Sequence, residues 1–109
     1  MARDRGLEEL IGDELRSTSG VTEKAMFGGW AWLFEGRLLC AARDDGMLVR
    51  LGKGNDSWAL AINGIVPMVS RGKQMQGWVR GNASVYGDDA LRRKLVSCAI
   101  DFVAALPSK

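Results

Sequence analysis

The chain has 109 residues, 47% of them apolar and 26% charged, with a formal net charge of +2 and no histidine. Such a length fits one domain over residues 1–109 with a single modest core, and the charge is too small to mark a polyanion-binding tail. Without histidine, Ser-His-Asp and Cys-His nucleophile pairs, imidazole acid–base catalysis and histidine-ligated metals are all excluded.

The charged N-terminus, Met1-Ala2-Arg3-Asp4-Arg5, is not followed by a secretory apolar stretch. Apolar runs reach five residues, as at Trp30–Phe34 and Leu38–Ala42, far short of the roughly 20 that span a bilayer. A cytoplasmic protein without a membrane segment is therefore expected. Cys40 and Cys98 form no CxxC pair and read as reduced, buried thiols that fill core.

Leu7, Leu10, Ile11 and Leu15 recur at helical spacing among acidic residues, which predicts a first helix near 4–17 with Asp4 as its N-cap. Periodicity then changes. Trp30, Trp32 and Phe34 alternate along a strand, Glu35-Gly36 reads as a tight turn, and Leu38–Arg43 forms the next strand. Asp44-Asp45-Gly46 turns the chain again into Met47–Leu51, and Lys24–Gly28 is a further strand candidate before them. Strands joined by such short turns must be antiparallel, so the segment reads as a meander.

After Gly52-Lys53-Gly54-Asn55, a short helix is predicted over Ser57–Ile62, stopped at Gly64. Pro67 forbids helix in the next stretch, and Gln74–Arg80 reads as another strand around Trp78. Leu91, Leu95, Cys98, Ala99, Phe102 and Leu106 mark a long last helix, opened by Asp88-Asp89 and closed by Pro107. The expected class is α+β: an antiparallel β-meander sheet with an N-terminal helix, a short middle helix and a long C-terminal helix packed on it.

Searches for chemistry return structural explanations. Gly72-Lys73 has Pro67 where a phosphate loop needs glycine, and Gln74 where it needs Ser or Thr. Gly52-Lys53-Gly54 lies between strand and helix, but Ser57 replaces the third glycine of a dinucleotide fingerprint. Asp44-Asp45 suits a turn, and no metal site, cofactor or catalytic set emerges.

Charge distribution says more than net charge. Residues 1–36 hold 4 basic and 7 acidic side chains, whereas 37–80 hold 7 basic and 3 acidic. Trp58 and Trp78 lie in that basic region, an interleaving that also occurs on nucleic-acid-binding surfaces. The alternative is a solvated face with tryptophans in the core. Trp30 and Trp32, two residues apart, share one face of their strand.

Met26-Phe27-Gly28-Gly29, Phe34-Glu35-Gly36-Arg37 and Met47–Gly52 resemble the TfoX/Sxy N-terminal domain family. The likeness continues through Val66-Pro67-Met68 and Gly72-Lys73-Gln74-Met75-Gln76-Gly77-Trp78-Val79. The resemblance implies an α+β fold with an antiparallel sheet and an association with regulation of DNA-transformation competence. It also marks a stand-alone single-domain member, without the additional C-terminal domain of full-length competence regulators. Val69-Ser70-Arg71 and Gln74 depart from the family pattern. The glycines at 28, 29 and 77 suit bulges or close backbone approach, and the methionines suit a core needing adaptable filler.

Two functions follow as expectations. The first is a non-catalytic regulatory module that binds a protein partner, or itself as a homodimer, through the sheet and its loops. The alternative is direct DNA binding, with Arg50, Lys53, Arg71, Lys73 and Arg80 on phosphates. No spacing supports a small-ligand site or an enzyme.

Overall fold

Asp4 starts the first helix: its carboxylate accepts the Leu7 N–H at 2.9 Å, satisfying one of the donors a helix N-terminus leaves open. A computed structural model describes residues 4–26 and 29–107. Helix α1, Arg5–Leu15, buries Leu7, Ile11 and Leu15, one residue per turn on a single face. Strands β1 (Val21–Met26), β2 (Gly29–Phe34), β3 (Arg37–Arg43) and β4 (Gly46–Arg50) follow, then α2 (Ser57–Leu60). The chain ends through β5 (Ile65–Ser70), β6 (Lys73–Gly81), α3 (Ala83–Tyr86) and α4 (Asp89–Ala104).

All strand pairs are antiparallel, in the order β1-β2-β3-β4-β6-β5. The α+β expectation holds. The meander runs from β1 to β4, and a last hairpin joins it with β6 inside and β5 at the edge. Sequence patterning left β5 without an element because Pro67 interrupts it. An edge strand tolerates proline, since its outer row of backbone groups needs no ladder partner. The β5–β6 turn, Arg71-Gly72, takes φ of 52° and 77°, both left-handed. Glu35-Gly36 does the same at 51° and 83°, as two-residue hairpins require.

Among the described residues, α1 to α4 lie on one sheet face and no helix lies on the other. Between sheet and helices lie Leu7, Ile11, Leu15, Trp32, Leu39, Cys40, Met47, Val49, Val79, Leu95, Val96, Ala99 and Val103, all buried. A bulge opposite Trp32 and Leu33 makes Leu39 an extra residue in β3, so Leu39 and Cys40 both point to the helices. Gly29 is fixed by close approach: a Cβ there would lie 2.1 Å from the Ala42 carbonyl oxygen. Of the tryptophans, Trp32 alone is fully buried, while Trp30, Trp58 and Trp78 are half-buried. Cys98 is half-buried as well, in contrast to Cys40.

Asp4 has a second use. Its other carboxylate oxygen accepts the Tyr86 hydroxyl at 2.9 Å, tying the start of α1 to α3. Burial, then the hydrogen bond to Asp4 and its negative charge, push the Tyr86 phenol above its ordinary 10.0. A raised phenol value means the neutral form is favoured in the fold. Its contribution is complete below pH 10 and is lost as pH rises through the raised value. Tyr86→Phe is expected to cost about 1 kcal/mol near neutrality and to make the alkaline decline shallower, as read by urea unfolding at pH 8 and above pH 10.

Candidate functional site

The bare sheet face is built from one side of the strand alternation. Across all six strands, the register places Lys24, Ala31, Ala41, Leu48, Arg80 and Val66 in a single row. Directly paired residues share a face, and so do residues two apart on one strand. Met26, Arg43, Arg50 and Trp78 therefore join this side.

The row makes an apolar floor. Ala31, Ala41, Leu48 and Met68 are buried without any helix above them, and Met26, Leu38, Met75 and Trp78 pack around them half-buried. Ala31 and Ala41, neighbours on β2 and β3, are short, and the taller side chains around them close over them, so that neither is exposed. Val66 and Val69, 41% and 56% exposed, carry apolar surface onto the β5 edge.

Arginines frame this floor. Arg43 Nε lies 3.2 Å from one oxygen of Asp45, and Arg80 Nη1 lies 3.0 Å from the other. Arg43 also reaches Met68, its Nη1 3.9 Å from the sulfur. The Arg50 guanidinium carbon sits 5.6 Å from the Trp78 ring centre and 5.5 Å from that of Phe102, within cation–π range of both. Asp45 thus clasps two cations, and Arg50 is held by two rings.

Other features of the molecule hold less. A cleft of about 560 Å³ between α2 and α4 is lined by Leu51, Trp58, Cys98, Asp101 and Phe102. Lys94 Nζ lies 4.5 Å from the ring centre of Trp58. Burial, reinforced by the charge of Glu14, pushes the Cys40 thiol far above its ordinary value, so it holds its proton and is no nucleophile. Among the described residues, no cluster of metal-ligating side chains forms, and no helix is long and apolar enough to cross a membrane.

The profile of the TfoX N-terminal domain matches residues 13–103. The chain belongs to the TfoX N-terminal domain family. That family is associated with regulation of competence. No curated protein and no solved structure matches the chain.

In this TfoX N-terminal domain the signature residues divide into two sets. Gly36 and Gly72 occupy hairpin turns, Gly29 and Gly77 stand against neighbouring backbone, and Pro67 lies in β5. Met26, Met68, Met75 and Trp78 instead converge on the helix-free face. Phe27 and Gly28 lie outside the described residues. Of the methionines expected to suit a core, Met47 lies in the cluster under the helices, and Met26, Met68 and Met75 serve the second, opposite cluster.

The five basic residues predicted to touch phosphate lie at three places in the fold. Arg50 and Arg80 frame the apolar cluster, Lys53 lies in the exposed loop after β4, and Arg71 and Lys73 are exposed at the β5–β6 tip. Arg43, Leu38 and Asp45 belong to the site and were not singled out by the sequence. Only the alternation of β3 hinted at Arg43; nothing local ties Asp45 to Arg80, 35 residues away.

Proposed function

We propose that this TfoX N-terminal domain is a non-catalytic regulatory module that works by binding a protein through the helix-free face of its sheet. The observation that carries this reading is the apolar cluster of Met26, Leu38, Met68, Met75 and Trp78 on a face over which, among the described residues, no helix lies. Methionine surfaces of this kind adapt to a partner's shape, and aromatic and arginine side chains are the residue types that anchor interfaces. Membership of a family associated with competence regulation fits the same reading.

The experiment is site-specific photo-crosslinking in the source cells. A benzophenone side chain placed at Met26 should give a discrete protein adduct, and the same group at exposed Ser97 on α4 should give none. Equal labelling from both positions would overturn the assignment of the face.

Direct DNA binding is the second reading, and it rests on exposed Arg71 and Lys73 at the hairpin tip. Labelled duplex DNA titrated at low and physiological salt separates the two. The interaction module gives a flat anisotropy trace at both. A saturable, salt-steep isotherm abolished by Arg71→Glu with Lys73→Glu would install the DNA reading instead.

A further inference from the structure

The apolar cluster and its arginine frame also specify a partner. We infer that the helix-free face receives an acidic amphipathic segment of another protein, its apolar anchors on Met26, Met68, Met75 and Trp78 and its carboxylates on Arg43, Arg50 and Arg80. This inference rests on the interaction reading above and adds the partner's chemistry to it.

Charge complementarity supplies the first reason. Lys24 and Arg80 stand in the row that crosses all six strands, and Arg43 and Arg50 flank it. Among the described residues, the carboxylate that reaches this group is Asp45, and it is shared between Arg43 and Arg80. The face is therefore left with uncompensated positive charge around an apolar floor. A partner that offers carboxylates beside apolar side chains answers both features. Arginine suits the role because its planar fork binds carboxylate through two parallel hydrogen bonds.

Other occupants meet specific obstacles. A second copy docked face to face about a two-fold axis would bring together two faces of the same positive charge, and like charges across an interface are costly. Acidic α1 of another copy, on the opposite side of the sheet, could reach the face only head to tail, which builds a ring or a filament in place of a simple two-fold dimer. A single-stranded nucleic acid would need open aromatic platforms. Trp78 is the aromatic residue within the apolar cluster on this side, and Arg50 already lies over its ring. Exposed Val66, paired with Arg80 in the same row, offers nothing to a phosphate backbone, whereas it extends the landing surface for apolar anchors.

Methionine methyl signals read this directly, because the described methionines divide between the two faces. The full chain, ¹³C-labelled at the methionine methyls, is titrated with an acidic helical peptide of about 20 residues carrying leucine and phenylalanine at i, i+3, i+4 and i+7. Parallel titrations use its lysine-for-glutamate counterpart, a neutral glutamine version and a DNA oligonucleotide. The expected result is saturable movement of the Met26, Met68 and Met75 signals by the acidic peptide, with buried Met47 unmoved. Arg43→Gln with Arg80→Gln should weaken binding about tenfold, while Asp45→Asn, which frees both arginines, should tighten it several-fold.

Lack of any shift at peptide concentrations up to about 1 mM, or equal response to the lysine peptide, would overturn the acidic partner. Movement of the same methyls by the neutral or lysine peptide would then leave the interaction reading standing with a different partner chemistry. Movement by DNA alone would remove both.

Discussion

Gly77→Ala is expected to lower the stability of the fold by about 3 kcal/mol or more, combining backbone strain with overpacking. Gly77 holds φ at +86°, and a Cβ there would fall 2.5 Å from both the Gly52 carbonyl carbon and the Lys53 nitrogen. Those are backbone atoms and cannot rotate away. They are also held close by function of the fold: the Gly77 carbonyl accepts N–H groups from Leu51 and Gly52 at 2.8 and 3.1 Å. At this point the pairing of β5 with β6 shifts register, and β6 passes the end of β4. Gly72 provides the comparison, because its φ is +77° but nothing lies within 4 Å of a Cβ built there. Gly72→Ala should therefore cost only the left-handed strain, about 1 kcal/mol. Urea midpoints of the two variants measure the difference. Equal losses would show that strain alone fixes glycine at 77 and that the loop after β4 yields. Because Trp78 follows Gly77 and lies beneath Arg50, the damaged variant should also disturb the helix-free face.

Local signals were legible where one chemical rule decided the outcome. Asp4 and Asp88 cap their helices through side-chain oxygens that accept Leu7 and Leu91 N–H groups, as the pattern of a polar residue before an apolar stripe implies. Glu35-Gly36 forms the hairpin turn that its glycine announced. The β5–β6 hairpin was hidden for the converse reason: Arg71 is not a turn residue by type, yet it takes φ of 52° beside a glycine that absorbs the rest of the turn. On α4 the buried stripe lies one residue out of phase with the one the sequence spacing predicts. Leu95 and Ala99 are core, but the buried set is completed by Arg92, Val96 and Val103, while Leu91, Cys98 and Phe102 are half-buried. A charged residue at 92 conceals its own place in the core. Likewise the candidate site could be read only in part. Met26, Met68, Met75 and Trp78 were visible as a motif, but which side of the sheet they occupy depends on the β3 and β6 irregularities, and each such bulge changes the phase of inside and outside.

Arg92 is the second position where a large effect is expected. Its side chain is 6% exposed, with Glu14 beside it at 12%. Its Nε donates to Glu14 from α1, its Nη2 to Asp89 at 2.9 Å, and its Nη1 to the Tyr86 carbonyl at 2.7 Å. Burial by itself would favour the neutral guanidine, but the hydrogen bonds to Asp89 and Glu14 and their charges outweigh it and raise the value further. Arg92→Met preserves much of the volume and removes every one of these bonds, leaving the Glu14 carboxylate without its countercharge. Breaking one side of such a pair costs about 3–5 kcal/mol. Replacing both partners, Arg92→Met with Glu14→Leu, should recover most of that loss, since two apolar side chains need no partners there. A cycle through the single variants and the double variant should thus give a coupling of about 2 kcal/mol, measured by urea unfolding. Arg16 and Asp13 show the other limit: they form an ion pair at 78% and 56% exposure, and Arg16→Ala should change stability by less than about 0.5 kcal/mol. The Arg92 cluster sits in the helix layer, on the far side of the sheet from Met26, Met68 and Met75. Folded Arg92→Met protein should therefore keep their methyl signals in place, losing stability while the helix-free face stays intact.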